Sequence, residues 1–265
     1  MTEDLGPDLE PYLARIGYAG DLDPTVETLT ALHRAHVLSI PFENLDILLG
    51  RPIRLDLESL QAKLVHGRRG GYCFEQNALF AAVLEHLGFE VTRLAARVRM
   101  GDDRSTPRTH MVLAVDIAEA RWLADVGFGG DTLLGPIPFD EDRPVRQEAW
   151  TFRLVEEDDD VRVLRGLRPD GWMDLYAFTE EPQLPVDYEV GNHFTSTWPR
   201  SPFVNRIVVQ RSGLDERWML IDDVLSVERS DGEERWTVAS PEERLSILAE
   251  RFGLDFPDGT SFGRS

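Results

Sequence analysis

The first ninety residues carry apolar side chains at a spacing of three to four, which is the period of an amphipathic helix. This pattern predicts a helix over residues 25–39, which must stop before Pro41 because proline disfavours helical backbone in its predecessor. A second helix is predicted over residues 57–65. A third begins at Cys73, and Gly88 stands where a left-handed C-terminal cap would lie.

From residue 91 to about residue 188, apolar and polar residues alternate with period two, which is typical of strands with one buried face. Proline, glycine and aspartate punctuate this stretch, as expected at turns. The predicted strands cover residues 91–97, 110–116, 121–126, 149–155 and 161–165. The pattern favours an antiparallel barrel or sandwich.

The last part of the chain mixes strands with one helix. Ser240-Pro-Glu-Glu243 is a capping box with proline in the first helical turn, and it predicts a helix that ends at Gly253. Strands are predicted over residues 206–210, 217–221, 224–228 and 234–238. Helices, then strands, then a mixed tail favour an α+β fold. The predicted segments are residues 1–90, 91–190 and 191–265.

Composition excludes several classes of function. The chain has 265 residues, 42% of them hydrophobic, and a formal net charge of −20. Such an acidic chain lacks the basic surface that nucleic acid or an anionic membrane requires of a general binder. No apolar run approaches the roughly 20 residues that span a bilayer, and the acidic N-terminus lacks the features of a secretory signal. We therefore expect a soluble, cytoplasmic protein.

Two short stretches are nevertheless basic. Residues 51–70 and residues 91–110 each contain five basic side chains against two acidic ones, a local sum of +3. Basic islands in an acidic chain raise the hypothesis of a local anion site, although solvation at the surface explains any single arginine equally well.

Cys73 is the only cysteine, which excludes an intramolecular disulfide and any zinc site built from several thiolates. Gly70 and Gly71 allow a tight turn ahead of it, and Cys73 then falls in the first turn of a predicted helix. The helix dipole and the unpaired N–H groups there favour the thiolate. Two interpretations are open at this point, a small buried hydrophobe and a catalytic nucleophile.

A cysteine nucleophile needs a base, which is normally histidine, and the chain has six histidines. His110 differs from the others because it opens a predicted strand directly after an arginine-rich loop. His33 and His36 lie one turn apart on a predicted helix, a spacing that suits a shared metal ion. No further ligand is evident, so we interpret them as ordinary helix residues and predict no metal site.

Strand register supplies an acid partner for His110. If the strands on either side of residues 117–120 form a hairpin in which Asp116 faces Arg121, His110 and Asp125 are diagonal neighbours on one face of the sheet. A slip of one residue would place them on opposite faces. The alternative role of Asp125 is to cap the glycine-rich turn that follows it.

Five motifs in the same order make the chain similar to the arylamine N-acetyltransferases, acetyl-CoA-dependent enzymes with a Cys-His-Asp triad. The motifs are Ile40-Pro-Phe-Glu-Asn-Leu45, Arg68-Arg-Gly-Gly-Tyr-Cys-Phe-Glu-Gln-Asn77, Arg108-Thr-His-Met111, Asp125-Val-Gly-Phe-Gly-Gly130 and Ser196-Thr-Trp-Pro-Arg-Ser-Pro-Phe203. The resemblance implies an N-terminal helical bundle, a central antiparallel β-barrel and a C-terminal α/β lid, with a core like that of cysteine proteases. It also implies Cys73 as nucleophile, His110 as base and Asp125 as the group that orients His110.

The resemblance further implies acetyl-CoA as acyl donor and an arylamine, arylhydrazine or N-hydroxyarylamine as acceptor, in a ping-pong cycle. The family's CoA contacts fall here on Thr106, Pro107, Thr197 and Ser201, where Pro107 replaces a glycine found in some relatives. Phe42, Tyr72, Phe128 and Phe203 are candidates for an aromatic acceptor pocket. The arginines of residues 93–108 are candidates for contact with the CoA phosphates. We expect Glu43 to pair with Arg69 and to fix the turn before the nucleophile.

Three other functions are open on the sequence alone. A macrolactam-forming amide synthase of polyketide biosynthesis has the same triad, and a papain-like cysteine hydrolase replaces the amine with water. A binding module with an inactive triad is disfavoured because all three triad residues are present. The sequence leaves open whether the protein is a monomer or a homo-oligomer.

Overall fold

The N-terminal part of the chain is helical in the computed structural model, which describes residues 6–102, 105–140, 142–157 and 160–263. The elements are α1 (Leu9–Ile16), α2 (Val26–Ser39), the short strand β1 (Phe42–Glu43), α3 (Leu45–Leu48), α4 (Leu57–Leu60) with a π-helical continuation (Gln61–His66), and α5 (Cys73–His86). The three predicted helices are confirmed, and Gly88 has the left-handed φ of 87° expected of a cap. No helix in the described ranges is both long enough and apolar enough to cross a membrane.

An antiparallel sheet of eight strands follows. The strands are β2 (Glu90–Val98), β3 (Arg108–Ile117), β4 (Ala120–Ala124), β5 (Ile137–Pro138), β6 (Val145–Gln147), β7 (Trp150–Glu156), β8 (Arg162–Arg168) and β9 (Gly171–Pro182). Their order is β5-β4-β3-β2-β9-β8-β7-β6, and the sheet curls into a nearly closed barrel. Of the two predicted architectures, the barrel is therefore confirmed.

Strand β9 and helix α6 (Pro185–Thr197) lie outside the predicted elements. The four central residues of β9, 175–178, are all buried, so no alternation marks this strand. Helix α6 contains Gly191 and ends in Thr195-Ser-Thr197, which are weak helix formers. The domain boundary predicted between residues 190 and 191 falls inside α6, and the division into three domains stays a prediction.

The C-terminal part contains α7 (Pro202–Asn205), β10 (Val208–Ser212), β11 (Glu216–Ile221), β12 (Val224–Arg229), β13 (Gly232–Thr237) and α8 (Pro241–Phe252). The strands form a second antiparallel sheet with the order β1-β10-β11-β12-β13. Strand β1 comes from the N-terminal part, and Phe42 lies opposite Gln210. The predicted cap of α8 is confirmed, because Ser240 Oγ accepts the Glu243 N–H at 3.2 Å. The second sheet is therefore tied to the helical part by strand pairing.

The predicted hairpin register is confirmed. Asp116 lies opposite Arg121, and Leu113 lies opposite Ala124. The register places His110 and Asp125 on the same face of the barrel, at the side that meets α5.

The two glycines before Cys73 have a different role from the predicted one. Neither has a positive φ, and the left-handed residue of this turn is Arg68, with a φ of 50°. A Cβ atom on Gly70 would collide with the carbonyl oxygen of Pro41, and one on Gly71 would collide with the side chain of Glu75. The glycines therefore permit close packing rather than an unusual backbone conformation.

A network of ion pairs stabilises the turn that precedes Cys73. Lys63 Nζ lies 2.8 Å from Glu75 Oε1 and 2.9 Å from Asp46 Oδ2. Arg69 Nη2 lies 2.6 Å from Glu43 Oε1, which confirms the predicted pair. Glu43 and Glu75 are buried, so their charges need these partners.

We predict that Lys63→Met lowers the free energy of unfolding by about 3–5 kcal/mol, because buried Glu75 loses its nearest counter-charge. Chemical denaturation measures this change. Arg54→Met is the matched control, because the Arg54 side chain is exposed, and it should change the value by less than about 0.5 kcal/mol. Equal stability of the two variants would contradict the role given to Lys63.

Candidate active site

Cys73 is the first residue of the 14-residue helix α5. It is 5% exposed, and its Sγ lies 3.6 Å from the carbonyl oxygen of Thr109 in β3. The start of the helix is fixed by Glu75, whose Oε2 accepts the N–H of Tyr72 at 3.1 Å. Unpaired N–H groups and the positive end of the helix dipole meet at this position.

His110 and Asp125 form a buried pair beside Cys73. His110 Nε2 lies 2.7 Å from Asp125 Oδ2, and both side chains are almost completely excluded from solvent. The carboxylate accepts the proton of Nε2, which leaves Nδ1 as the nitrogen free to exchange a proton with Cys73. Burial alone would lower the pKa of His110, but the charge and hydrogen bond of Asp125, together with the adjacent Cys73 sulfur, raise it to about 10.

The second carboxylate oxygen of Asp125 serves the glycine-rich turn. Asp125 Oδ1 accepts hydrogen bonds from Asn77 Nδ2 at 2.9 Å and from the Gly127 N–H at 3.0 Å. Burial alone would raise the pKa of Asp125, but His110 and these donors lower it. The two roles considered for Asp125, partner of His110 and cap of the turn, are therefore filled by different oxygens of one carboxylate.

Gly127 permits the turn to approach the helix that carries Cys73. A Cβ atom on this residue would lie 2.8 Å from Cys73 Cα and 2.9 Å from Asn77 Nδ2. Both distances are shorter than normal contacts, so only glycine fits here without displacing α5.

The interpretation of His33 as an ordinary helix residue is incomplete. His33 is completely buried, and its Nε2 accepts the backbone N–H of Asp125 at 3.1 Å. Burial lowers the pKa of His33 to about 4, so the ring is neutral and carries its proton on Nδ1. His36, which is equally buried, instead lies 2.9 Å from the Tyr12 hydroxyl through its Nδ1. Within the described ranges, no group of three or more side chains is arranged to hold a metal ion.

Two aromatic rings hold the His110 imidazole. The Phe128 ring lies 4.9 Å from it, edge to face, and the Tyr176 ring lies 4.8 Å from it. Tyr176 is fully buried in β9 and is not among the residues that the sequence singles out. The only available signal is its place in an apolar run, which does not distinguish it from a core residue.

A pocket of about 200 Å³ opens onto Cys73 and His110. Its apolar wall consists of Phe42, Val98, Met100, Phe128, Phe203 and Val208. Tyr72 does not line this pocket, which corrects its assignment to the acceptor wall. The Tyr72 ring is buried, with its hydroxyl hydrogen-bonded to Asn192, and it packs behind Phe203 at a ring distance of 5.9 Å.

Of the four candidate CoA contacts, Pro107 lines a groove near Cys73, and the other three have hydroxyls that are bonded within the fold. Pro107 lines a groove of about 290 Å³ together with Thr109 and Phe194. The hydroxyls of Thr106, Thr197 and Ser201 donate within the fold, to the carbonyl oxygens of Val98 (2.7 Å), His193 (2.5 Å) and Thr195 (2.5 Å) respectively. Thr109 lines both this groove and the pocket at Cys73, so the two cavities are neighbours on either side of this residue.

The arginines near this groove already have partners. The ion pairs are Arg93 with Glu85, Arg99 with Glu157 and Asp174, and Arg108 with Glu181. Arg97 donates to the carbonyl oxygen of Thr106, and Arg104 lies outside the described residues. The local charge of +3 in the sequence is therefore largely cancelled in space, which weakens the hypothesis that these arginines serve the CoA phosphates.

Known proteins share both the sequence and the fold. A family model described as N-acetyltransferase matches residues 25–260. The arylamine N-acetyltransferase of Mycolicibacterium smegmatis is 45% identical over 95% of this chain and 93% of its own length. The arylamine N-acetyltransferase structure from Mycobacterium abscessus superposes with a TM-score of 0.90 at 39% identity, covering 95% of this chain and 91% of the other. The Mycobacterium marinum enzyme in complex with CoA has a TM-score of 0.88 at 39% identity, covering 93% and 92%. The chain belongs to the arylamine N-acetyltransferase family.

Proposed function

We propose that the chain transfers an acetyl group from acetyl-CoA to an arylamine, arylhydrazine or N-hydroxyarylamine through a thioester on Cys73. The observation that carries this proposal is the placement of Cys73 at the start of α5, beside a His110–Asp125 pair at 2.7 Å and under an aromatic pocket. The M. smegmatis relative is named for the same activity, and a relative from M. marinum binds CoA.

In the first half-reaction, the Cys73 thiolate attacks the acetyl carbonyl carbon of acetyl-CoA. The new C–S bond forms first and gives a tetrahedral intermediate. Collapse of this intermediate breaks the C–S bond to CoA, and the departing CoA thiolate takes a proton from the His110 imidazolium. One thioester replaces another, so the step is nearly thermoneutral and the acetyl group stays reactive.

In the second half-reaction, the amine nitrogen attacks acetyl-Cys73. His110 accepts the proton that the nitrogen loses, and the Cys73 thiolate leaves as the amide forms. Asp125 holds the imidazole in the tautomer and orientation that both steps need, and it stabilises the imidazolium.

Each tetrahedral intermediate places negative charge on the acetyl oxygen. The Cys73 N–H has no hydrogen-bond acceptor among the described residues. It lies at the first position of α5, where the helix dipole stabilises a negative charge. We assign it as a donor to this oxygen.

The two cavities beside Cys73 suit the two substrates. Phe42, Phe128 and Phe203 are the proposed walls of the acceptor site. The groove at Pro107 is the proposed path of CoA. The hydroxyls of Thr106, Thr197 and Ser201 are bonded within the fold and these residues do not line the groove, so the proposal assigns them no contact with CoA there. At about 200 Å³, the acceptor pocket is smaller than the roughly 300–1,000 Å³ of ordinary ligand sites, which favours a single-ring amine over the long acyl chain of a macrolactam synthase.

Incubation with acetyl-CoA should add one acetyl group to the intact protein, as measured by mass spectrometry. The adduct should be absent in Cys73→Ser and should disappear when an arylamine is added, with N-acetylarylamine as product. Loss of the adduct to water at the same rate without the amine would instead indicate a hydrolase. No adduct with any acyl-CoA would remove the acyl-transfer mechanism.

The pH dependence of Cys73 alkylation tests the role of His110. Because the pKa of His110 is raised to about 10, its imidazolium persists between pH 6 and pH 9 and is lost as the pH rises through about 10. We expect iodoacetamide to react quickly with the wild type below pH 7 and at least about tenfold more slowly with His110→Ala. Equal rates for the two proteins would exclude His110 as the partner of the thiolate.

His33→Leu tests whether a residue outside the triad positions Asp125. The substitution leaves the buried Asp125 N–H without an acceptor, so Cys73 alkylation at pH 7 should slow several-fold while the protein loses about 1–3 kcal/mol of stability. His36→Leu is the matched control, because His36 is equally buried on the same helix but pairs with Tyr12. It should lose comparable stability and keep the wild-type alkylation rate. An equal loss of reactivity in both variants would indicate general destabilisation instead.

A further inference from the structure

We propose that Gln210 determines acceptor specificity by donating a hydrogen bond to an oxygen atom carried on the ring of the aromatic amine. The inference rests on the proposed function, because it assigns the pocket at Cys73 to the acceptor. It names the acceptor class more closely, as amines whose ring bears a carbonyl or carboxylate group.

Gln210 reaches the pocket from the C-terminal sheet. It lies in β10 opposite Phe42, and both side chains line the pocket that contains Cys73 and His110. Its Oε1 accepts the N–H of Gly130 at 2.9 Å, at the end of the turn that carries Phe128. This hydrogen bond fixes which end of the amide is oxygen and which is nitrogen.

The other end of the amide is uncommitted. Across the parts of the chain that the structure describes, Gln210 Nε2 donates to no protein group. An amide nitrogen has two protons to donate, so a donor without a partner lines an otherwise largely apolar pocket. A ligand that left this donor unpaired after excluding water would bind less well.

Asp131, the carboxylate in the lining, is already paired. Asp131 Oδ1 lies 2.9 Å from Arg217 Nη1 and also accepts a hydrogen bond from Arg168. Arg217 is itself buried, with its guanidinium over the Trp150 ring. Asp131 is therefore compensated by two arginines, whereas the Gln210 amide offers an uncommitted N–H donor to the bound amine.

Three para-substituted anilines distinguish donation by Gln210 to the bound amine from its anchoring of the turn at Gly130. We would measure kcat/KM for 4-aminobenzamide, 4-aminobenzoate and 4-methylaniline with acetyl-CoA as donor, in the wild type, Gln210→Glu and Gln210→Leu. Comparing each variant with the wild type on the same amine removes the intrinsic reactivity of the amine. The Gln210→Glu variant is decisive, because its carboxylate keeps an oxygen for the Gly130 N–H and loses the donor.

Gln210→Glu should lower kcat/KM for 4-aminobenzamide about tenfold relative to 4-methylaniline, and it should lower the value for 4-aminobenzoate further because two carboxylates then meet. Gln210→Leu should lower the values for both oxygen-bearing amines relative to 4-methylaniline. If instead Gln210→Glu keeps the wild-type preference and Gln210→Leu loses activity on all three amines equally, Gln210 only anchors the turn and the proposal is wrong.

Arg211→Leu is the control, because Arg211 is the next residue of β10, is exposed, and lines no part of this pocket. It should preserve the acceptor preference. Acetylation of Cys73 is measured by mass spectrometry in every variant. Failure of the proposed acetyl transfer can therefore be told apart from failure of the role proposed for Gln210. A wild type that forms no acetyl adduct contradicts the proposed function, whereas a normal adduct with an unchanged acceptor preference overturns only the role of Gln210.

Discussion

The buried carboxylate of Asp125 is the constraint on which the rest of the structure depends. A carboxylate without partners in the interior costs several kcal/mol, so the fold can close only if donors arrive there together. His110 comes from the barrel, Asn77 from α5 and the Gly127 N–H from the following turn, while His33 on α2 accepts the N–H of Asp125 itself. Docking the barrel on the helices and forming the His110–Asp125 pair are therefore one event. An error in strand register would leave the charge unpaired, which gives this arrangement its specificity.

The need to pair buried charges also governs the turn before Cys73, where charges from distant parts of the chain meet. Lys63, the only lysine, lies between Glu75 and Asp46, while Arg69 pairs with Glu43. Neither the net charge of −20 nor the local sums of +3 indicate this arrangement. What matters is which carboxylate each cation meets after folding. An acidic protein can thus bury several cations and still leave few of them free for an anionic ligand.

How far the sequence could predict the site depended on the range of the contacts. The pairing of His110 with Asp125 was predictable because a short hairpin fixes their register. Tyr176 lies in a strand buried on both faces, where the alternation that reveals strands is absent. His33 and Gln210 act through contacts to residues far away along the chain, with a separation of 92 positions from His33 to Asp125 and of 80 from Gln210 to Gly130. No local pattern marks such contacts, since any helix or strand position of the same polarity looks alike.

The turn after Asp125 links the chemistry to the choice of acceptor. Its first N–H, at Gly127, is bound by Asp125, and its last, at Gly130, is bound by Gln210. Between these two anchors, Phe128 packs against the His110 ring and lines the pocket. The Asp125 anchor belongs to the bundle and barrel, whereas the Gln210 anchor belongs to a sheet joined to them through β1. The Gln210 amide both holds this turn and faces the bound amine. A side chain at position 210 that still accepts the Gly130 N–H can therefore change which amine is preferred, while the His110 imidazole stays in place.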